Sequence, residues 1–252
     1  VRGIRVTDTT HGTSAPVAEW ALGLILVAMR NAGALFRKMI HGEYPFSNQE
    51  ERKSNPGFAN GELTEKRVGL LGFGHIGQRL LSFLRPFDAE VWVHDPFIPK
   101  EVAGALGVTL TSMDNILSRC DVVVCLVPLT PMTEGMLGER EFSLLREGAV
   151  FVNVSRGKVV QTEAMLERLD RGDVIAGLDV FDPEPVPLDS PILQMPNVFI
   201  TPHVAGSAVG RRRLFKLMVD ELDRFANGHE TLNDLSPLVM ANRRGDSAGK
   251  KR

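Results

Sequence analysis

The sequence predicts an α/β fold built on a doubly wound parallel sheet, and two observations lead to this prediction. From residue 66 to residue 201, short apolar segments rich in β-branched residues alternate with segments of helical spacing, which is the order of a sheet wound with helices. Several strand segments, such as 121–126 and 149–154, are almost continuously apolar. Such segments are expected where helices cover a parallel sheet on both faces.

The individual elements follow from apolar spacing and from end signals. The first helix begins near Ser14, because Pro16 and Glu19 suit a first helical turn, and Gly172 closes a later helix. The predicted helices are 17–36, 78–87, 112–119, 139–145, 162–171 and 208–227. The predicted strands are 1–7, 68–71, 90–94, 108–110, 121–126, 149–154, 174–180 and 197–201, and 42–60 is predicted to be an exposed connection.

A glycine-rich turn, Gly72-x-Gly74-x-x-Gly77, separates the strand at 68–71 from the following helix. Gly72 permits a tight turn, Gly74 lets the backbone approach a pyrophosphate, and Gly77 lets helix and strand pack closely. Asp95 ends the next strand, 18 residues after Gly77 (95 − 77), and a carboxylate about 20 residues on typically binds a ribose 2′-hydroxyl. The pattern predicts a Rossmann-type fold that binds NAD rather than NADP. The alternative is a glycine turn that serves packing only.

Composition excludes several other classes of protein. The chain has 252 residues, 43% hydrophobic and 24% charged, with a net charge of −2, so neither nucleic-acid nor membrane-surface binding is predicted. The most apolar run, 20–29, has ten residues, whereas a membrane span needs about 20. Cys120 and Cys125 lack a CxxC pattern and are expected to be buried free thiols. No metal site is predicted, and a cytoplasmic location is expected.

Three charged or titratable residues follow the ends of successive strands: Arg156, Glu184 and His203. Ligands of open α/β sheets bind at the carboxyl ends of the strands, so we expect these side chains on one edge, facing the glycine-rich turn. The alternatives are a turn cap for Arg156, a solvated surface carboxylate for Glu184 and a strand-end histidine for His203. The remaining histidines show no partner pattern and are expected to have no functional role: His11, His41, His94 and His229.

Five motifs in order resemble those of the NAD-dependent D-2-hydroxyacid dehydrogenase family. They are the glycine-rich turn with Asp95, and segments 127–133, 152–157, 177–185 and 201–206. The resemblance extends from residue 1 to about residue 234. It implies NAD as the cofactor and hydride transfer between NAD(H) and a small D-2-hydroxy or 2-keto acid.

The resemblance also implies roles for the three residues at the strand ends. His203 is the acid/base that moves the hydroxyl proton, since imidazole exchanges protons near neutral pH, and Glu184 orients its ring. Arg156 holds the substrate carboxylate with its planar guanidinium. The implied cofactor contacts are Gly72, Gly74, His75, Ile76 and Gly77 at the pyrophosphate, Asp95 and Pro96 at the adenosine ribose, Val127, Pro128 and Thr133 on the adenosine side, Val154 beside the nicotinamide half and Asp179 on its carboxamide.

Domain organisation is where the sequence departs from the family. Residues 1–13 are expected to be the remnant strand and hinge of a flavodoxin-like substrate domain, and 14–206 the NAD-binding domain. Residues 207–234 are expected to return toward the substrate domain, and 235–252 to be disordered. Most of the substrate domain is absent before Val1, so the chain is a fragment or a short form. NAD binding should then survive better than turnover.

Two further expectations concern subunit contacts and substrate. The helix 17–36 is apolar nearly all round, so it is either enclosed by its own domain or shared with a partner; in the family the corresponding helix forms a dimer, and a homodimer is expected. Trp20 replaces a frequent histidine and is expected to affect packing or subunit contact. Glu184 argues against formate oxidation, because formate dehydrogenases of this family carry glutamine there.

Two other functions remain open at the level of sequence. One is a non-catalytic NAD(H)-sensing module that binds proteins, as the corepressor relatives of the family do. The other is a structural remnant that binds no ligand. Consumption of NADH with 2-keto acids distinguishes the enzyme from both.

Overall fold

A seven-stranded sheet forms the centre of the molecule in a computed structural model that describes residues 4–54, 61–235 and 239–241. All of its paired strands are parallel, in the order β3-β2-β1-β4-β5-β6-β7. The strands are β1 Arg67–Leu71, β2 Glu90–His94, β3 Thr109–Leu110, β4 Val122–Cys125, β5 Val150–Asn153, β6 Ile175–Leu178 and β7 Val198–Ile200. The predicted doubly wound, Rossmann-type fold is confirmed. The strands β1 to β3 are added in one direction across the sheet, and β4 to β7 are added in the other direction, starting beside β1. The crevice for a ligand therefore lies between the carboxyl ends of β1 and β4.

The helices lie on both faces of this sheet. They are α1 Ser14–Met29, α2 Ala32–Ile40, α3 Gln49–Ser54, α4 His75–Leu84, α5 Lys100–Ala105, α6 Met113–Arg119, α7 Glu139–Leu144, α8 Thr162–Asp170 and α9 Ala208–Ala226, with short 3-10 helices at Thr10–Thr13, Arg85–Phe87, Gly157–Val159 and Pro191–Leu193. Of the nine α-helices named here, α3 and α5 were not predicted from the sequence. The helix predicted at 78–87 begins earlier, at His75, immediately after Gly74.

The central strands are buried at every position because two layers of helices cover them. Strands β4, β5 and β6 are buried throughout. Successive side chains enter opposite cores: Leu70 packs into the core that contains α1 and α4, and Leu71 into the core that contains α6 to α8. This alternation follows from the period of two along a strand, and it holds the carboxyl ends of the strands at one level.

The apolar helix predicted at 17–36 consists of two helices. Asn31 adopts a left-handed conformation with φ 45°, which asparagine tolerates better than most residues, and the chain turns there from α1 into α2. Helix α1 packs on α4, β5 and β6 inside its own domain. The most exposed apolar side chains of the two helices lie on α2, where Phe36 is 64% and Ile40 60% exposed. The domain itself therefore encloses most of the apolar surface that suggested a dimer.

One helical segment, Thr10–Met29, is long and apolar enough to cross a membrane by length and composition alone, with a mean hydropathy of 1.4. The ten-residue apolar run 20–29 lies within this segment. Half of the segment is buried in the domain, and Ala18, Ala21 and Ile25 are fully buried. Its apolar character is explained by its place in the core.

The amino-terminal strand predicted at 1–7 does not form over the described residues 4–7. Among the described residues, Thr7 makes an isolated bridge, antiparallel to Asp234. Leu235 N donates to Val6 O at 2.8 Å, so the carboxyl-terminal segment returns to the amino terminus. The disorder predicted for 235–252 is wrong for Leu235 and for residues 239–241, which are helical. Residues 236–238 and 242–252 lie outside the described residues.

The two cysteines are buried free thiols, as predicted. Burial raises the pKa of Cys125 to about 11, although a contact with the Ser155 hydroxyl opposes the shift. Burial also raises the pKa of Cys120, to about 12. Both side chains are therefore protonated at neutral pH and pack in the hydrophobic core.

Candidate functional site

The glycine-rich turn follows β1 at the point where strand order reverses. Gly72 has φ +93°, a conformation that side chains rarely adopt, and a Cβ at Gly77 would lie 3.0 Å from Gly72 O. A Cβ at Gly74 would meet no atom within 4 Å. Helix α4 begins at His75, and its N-cap residue, Gly74, has no side chain to cap it, so the first N–H groups of the helix remain available to a ligand. This space and these donors fit a diphosphate.

Asp95 is fixed beside this turn at the end of β2. Its Oδ2 accepts from Phe73 N at 2.8 Å and its Oδ1 from Phe97 N at 2.9 Å. Each oxygen keeps a further lone pair, so the carboxylate can accept from ribose hydroxyls. Pro96 is the exposed residue that follows. The residues present thus fit the adenosine half of NAD.

The segment after β4 forms the opposite wall of the crevice. Val127 N would lie 3.1 Å from a Cβ at Gly72, so the two loops touch. Thr133 Oγ1 donates to Pro128 O at 2.5 Å and accepts from Thr130 N at 2.9 Å. The Thr133 hydroxyl therefore holds its own loop in shape.

The next loop, after β5, carries Arg156. Val154 is buried, while Arg156 is exposed and its Nη1 donates to Ser155 O at 2.6 Å. Among the described residues no carboxylate forms an ion pair with Arg156. This cation is available to an anionic group of a ligand.

The Arg156 loop packs tightly on the loop that carries Glu184. A Cβ at Gly157 would lie only 1.8 Å from Phe181 O, so only glycine fits between the two backbones. Thr162 Oγ1, at the start of α8, donates to Asp182 O at 2.7 Å and anchors the same loop from the other side. These contacts fix Glu184 relative to Arg156.

Glu184 and His203 form a hydrogen-bonded pair at this edge. His203 Nδ1 lies 2.7 Å from Glu184 Oε1. Because an ionised carboxylate only accepts, Nδ1 carries the proton and Nε2 is directed away from Glu184. The two side chains are 41% and 40% exposed, so this edge is accessible to a small molecule.

Asp179 differs from the other predicted cofactor contacts, because its carboxylate is fully buried. It accepts from Thr201 Oγ1 at 2.6 Å, from Val204 N at 2.9 Å and from Ala205 N at 2.9 Å. Its oxygens organise the loop around His203. A contact with the nicotinamide carboxamide stays a prediction.

Two residues near the site were not recognised from the sequence. The His11 ring lies beside the ring of His75 at the start of α4, with centroids 5.4 Å apart, although His11 was expected to have no role. Trp20 Nε1 donates to Thr201 Oγ1 at 3.2 Å, so Trp20 reaches the strand end that carries His203. Neither contact has a local signal, because the partners are distant in sequence. Within the described part of the chain, no cluster of three or more His, Cys, Asp and Glu residues is arranged to hold a metal.

The open space over Gly74 gives a direct test of cofactor binding. Gly74 has φ −73°, which any residue adopts, and aspartate is a favoured residue at the start of a helix. Gly74→Asp should therefore fold with an unchanged melting temperature. Its carboxylate would occupy the diphosphate space, so the Kd for NADH, measured by fluorescence titration, should rise at least about tenfold, or 1.4 kcal/mol.

The control is Gly104→Asp, at an exposed and equally open position in α5, which should bind NADH normally. Unchanged binding by Gly74→Asp would contradict this placement.

Comparison with known proteins identifies relatives of this chain. Residues 22–205 match the family described as "D-isomer specific 2-hydroxyacid dehydrogenase, NAD binding domain". D-3-phosphoglycerate dehydrogenase of Methanocaldococcus jannaschii is 36% identical over 208 residues, 82% of this chain and 38% of that protein. Mitochondrial formate dehydrogenase of Solanum tuberosum is 33% identical over 233 residues, 90% of this chain and 59% of that protein.

Solved structures give the same result. The crystal structure of D-lactate dehydrogenase with NAD+ from Lactobacillus jensenii aligns with a TM-score of 0.76 at 26% identity, over 88% of this chain and 69% of that one. TT0316 protein from Thermus thermophilus aligns with a TM-score of 0.78 at 31% identity, over 93% and 72%. The chain spans less than two thirds of the length of the curated relatives cited here.

Proposed function

Because the chain belongs to the family of NAD-binding domains of D-isomer specific 2-hydroxyacid dehydrogenases, whose cofactor is NAD, we propose that it carries the cofactor-binding and acid–base half of such an enzyme. The reaction is reduction of a small 2-keto acid to a D-2-hydroxy acid, or the reverse. The observation that carries this proposal is the Glu184–His203 pair, 2.7 Å apart, on the same sheet edge as Arg156 and the glycine-rich turn.

Each side chain has a defined task in this reaction. When bound, NADH would supply the hydride that the keto carbon accepts. Arg156 binds the substrate carboxylate with a planar pair of N–H donors and draws electron density from the neighbouring carbonyl. His203, protonated and oriented by Glu184, donates the Nε2 proton to the carbonyl oxygen as it gains charge. One hydride and one proton convert the keto acid to the hydroxy acid.

The adjacent strands support this assignment of roles. In the sheet register Asn153 is paired with Leu178, and Leu178 with Ile200. Arg156 and His203 each follow three residues beyond these paired positions. The two residues therefore emerge at similar heights on either side of β6, with Glu184 held between them.

The proposed function predicts transfer of label from cofactor to product. The protein is incubated in excess over NADH deuterated at C4, with glyoxylate, hydroxypyruvate, pyruvate or a larger 2-keto acid in turn. NADH absorbance should fall with at least one acid, and mass spectrometry should find deuterium at C2 of the product. Chiral chromatography should identify that product as the D-2-hydroxy acid for every substrate except glyoxylate, whose product, glycolate, has no D enantiomer. Absence of both would contradict catalysis by this chain; NADH binding without consumption would favour the sensing function.

Formate provides a second arm of the same experiment. Glutamate rather than glutamine pairs with His203, which supports 2-keto acids over formate as substrates. NAD+ with formate should therefore yield no NADH under conditions in which a 2-keto acid is reduced. Formation of NADH from formate would redirect the proposal to formate oxidation, as in the plant relatives.

We also propose that the chain forms a homodimer through α2 and the residues that follow it. Four exposed apolar side chains lie there: Phe36, Met39, Ile40 and Tyr44 are 52–78% exposed. Apolar patches of this kind are typical of subunit interfaces. Sedimentation at micromolar concentration should show a dimer that Phe36→Glu with Ile40→Glu converts to monomer. A 27.7 kDa species in the unmodified protein would contradict the dimer.

A further inference from the structure

A chain of hydrogen bonds connects the core helix α1 to the loop that carries His203. The Trp20 indole Nε1 donates to Thr201 Oγ1 at 3.2 Å, and Thr201 Oγ1 lies 2.6 Å from Asp179 Oδ1. The single hydroxyl proton of Thr201 is donated to the carboxylate, which only accepts. The hydroxyl lone pairs then accept from the indole, so the chain has one direction, from Trp20 through Thr201 to Asp179.

Asp179 also accepts hydrogen bonds from the backbone around His203. Its carboxylate accepts from Val204 N and Ala205 N, each at 2.9 Å, and its backbone oxygen accepts from His203 N at 2.9 Å. Three consecutive backbone N–H groups are thus bound to one residue of the neighbouring strand end.

The backbone of His203 requires such support. Its φ is +53°, in the left-handed region that non-glycine residues rarely adopt and that persists only where the surrounding contacts over-determine it. The side chain itself is 41% exposed, so packing around the ring does not fix it. The hydrogen bonds to Asp179 and Glu184 do.

Because Asp179 is charged, the hydrogen bonds that join Trp20, Thr201 and Asp179 strengthen one another. The carboxylate is fully buried, and a buried carboxylate depends on every donor that it has. The hydroxyl of Thr201 is the one side-chain donor among its described partners. A donor on the far side of that hydroxyl, the Trp20 indole, polarises it and fixes its rotation.

We propose that Trp20 is a positioning residue for the acid–base chemistry of His203, acting through Thr201 and Asp179. The indole N–H orients the Thr201 hydroxyl, the hydroxyl orients the Asp179 carboxylate, and the carboxylate holds residues 203–205 so that Nε2 of His203 faces the substrate. This inference rests on the proposed function for its catalytic meaning, and its structural part can be tested without turnover.

The variants separate the indole N–H from the volume of the ring. Trp20→Phe keeps an aromatic ring in the core and removes the donor. Thr201→Val keeps the shape and removes the hydroxyl, and Thr201→Ser restores it. The matched control is Trp92→Phe, since the Trp92 indole donates to the exposed Glu90 at 2.7 Å, on β2.

The first measurement follows the imidazole signals of His203 by NMR in the ligand-free protein, assigned with His203→Asn, across pH 5 to 9. Trp20→Phe and Thr201→Val should shift or broaden these signals and alter their titration curve. Thr201→Ser and Trp92→Phe should reproduce the unmodified protein. His203 signals that are unchanged in both Trp20→Phe and Thr201→Val would overturn the proposal.

The second measurement separates positioning from a purely structural role. In Trp20→Phe the rate of hydride transfer at saturating substrate should fall about tenfold to 100-fold, while the Kd for NADH changes less than twofold. An equal loss in the Trp92→Phe control, or loss of NADH binding alone, would overturn the proposal. If no protein transfers hydride but the His203 signals respond as described, the proposed function fails and the positioning chain stands. If hydride transfer occurs but the His203 signals do not respond, the proposed function stands and the positioning role of Trp20 fails.

Discussion

Replacement of His203 by alanine is expected to lower the rate of hydride transfer to a 2-keto acid by about 10²- to 10⁴-fold, the usual contribution of a positioned acid or base. The Kd for NADH should stay within about twofold of the unmodified value, because the diphosphate site lies on the glycine-rich turn after β1 and His203 follows β7. Single-turnover absorbance at 340 nm and fluorescence titration measure the two quantities separately.

Two further variants sharpen this test. Glu184→Gln keeps a hydrogen-bond acceptor for His203 Nδ1 and removes the negative charge that stabilises the protonated ring, so it should lose less than His203→Ala. His229→Ala is the matched control, because His229 is an exposed histidine after α9. Equal rates for His203→Ala and His229→Ala would show that His203 is not the proton donor.

Replacement of Gly157 by alanine is expected to disrupt both the fold and the site. The added Cβ would lie 1.8 Å from Phe181 O and 1.9 Å from Phe181 C, and these are backbone atoms that cannot rotate away. Overpacking of this kind costs about 1–3 kcal/mol or more, which lowers the melting temperature by at least about 2–4 °C in a domain of this size. The displaced loops should separate Arg156 from Glu184 and lower turnover at least about tenfold.

Gly104→Ala is the control for this change. A Cβ at Gly104 would meet no atom within 4 Å, and alanine is favoured over glycine in a helix by roughly 1 kcal/mol. This variant should melt at the same or a higher temperature, with unchanged turnover. A Gly157→Ala protein with the melting temperature and activity of Gly104→Ala would contradict the close approach of the two loops. Scanning calorimetry gives the comparison.

The sheet could be predicted from the sequence because each strand carries its own local signal. Strands that are buried on both faces are apolar at nearly every position, and the glycine-rich turn marks where β1 ends. Helix ends were harder to locate. The start of α4 at His75 lies inside the glycine-rich turn, where Ile76 is the one apolar residue between Gly74 and Gly77 and a single residue shows no periodicity. The break at Asn31 depends on a single left-handed residue.

The grouping of Arg156, Glu184 and His203 could be predicted because carboxyl ends of parallel strands share one edge. The role of Asp179 as a buried hydrogen-bond acceptor could not be predicted. A motif identifies an aspartate, but only the structure shows that its carboxylate is buried and bound to Thr201, Val204 and Ala205. Contacts such as that of Trp20 with Thr201 join distant parts of the chain and leave no local pattern.

The apolar segment 17–36 and the amino-terminal strand show a different limit. Apolar composition indicated that the segment 17–36 must be covered, yet composition does not distinguish a cover formed by the same domain from one formed by a partner. The segment 1–7 has strand-like alternation, and a strand needs a neighbour. Only the bridge from Thr7 to Asp234 forms among the described residues.

A crystal structure of the protein with NAD+ at saturating concentration would show where the cofactor binds. We expect the diphosphate over Gly74, within hydrogen-bond distance of the first N–H groups of α4, and the nicotinamide ring between Arg156 and His203. A dinucleotide bound elsewhere, or a nicotinamide ring remote from His203, would contradict it.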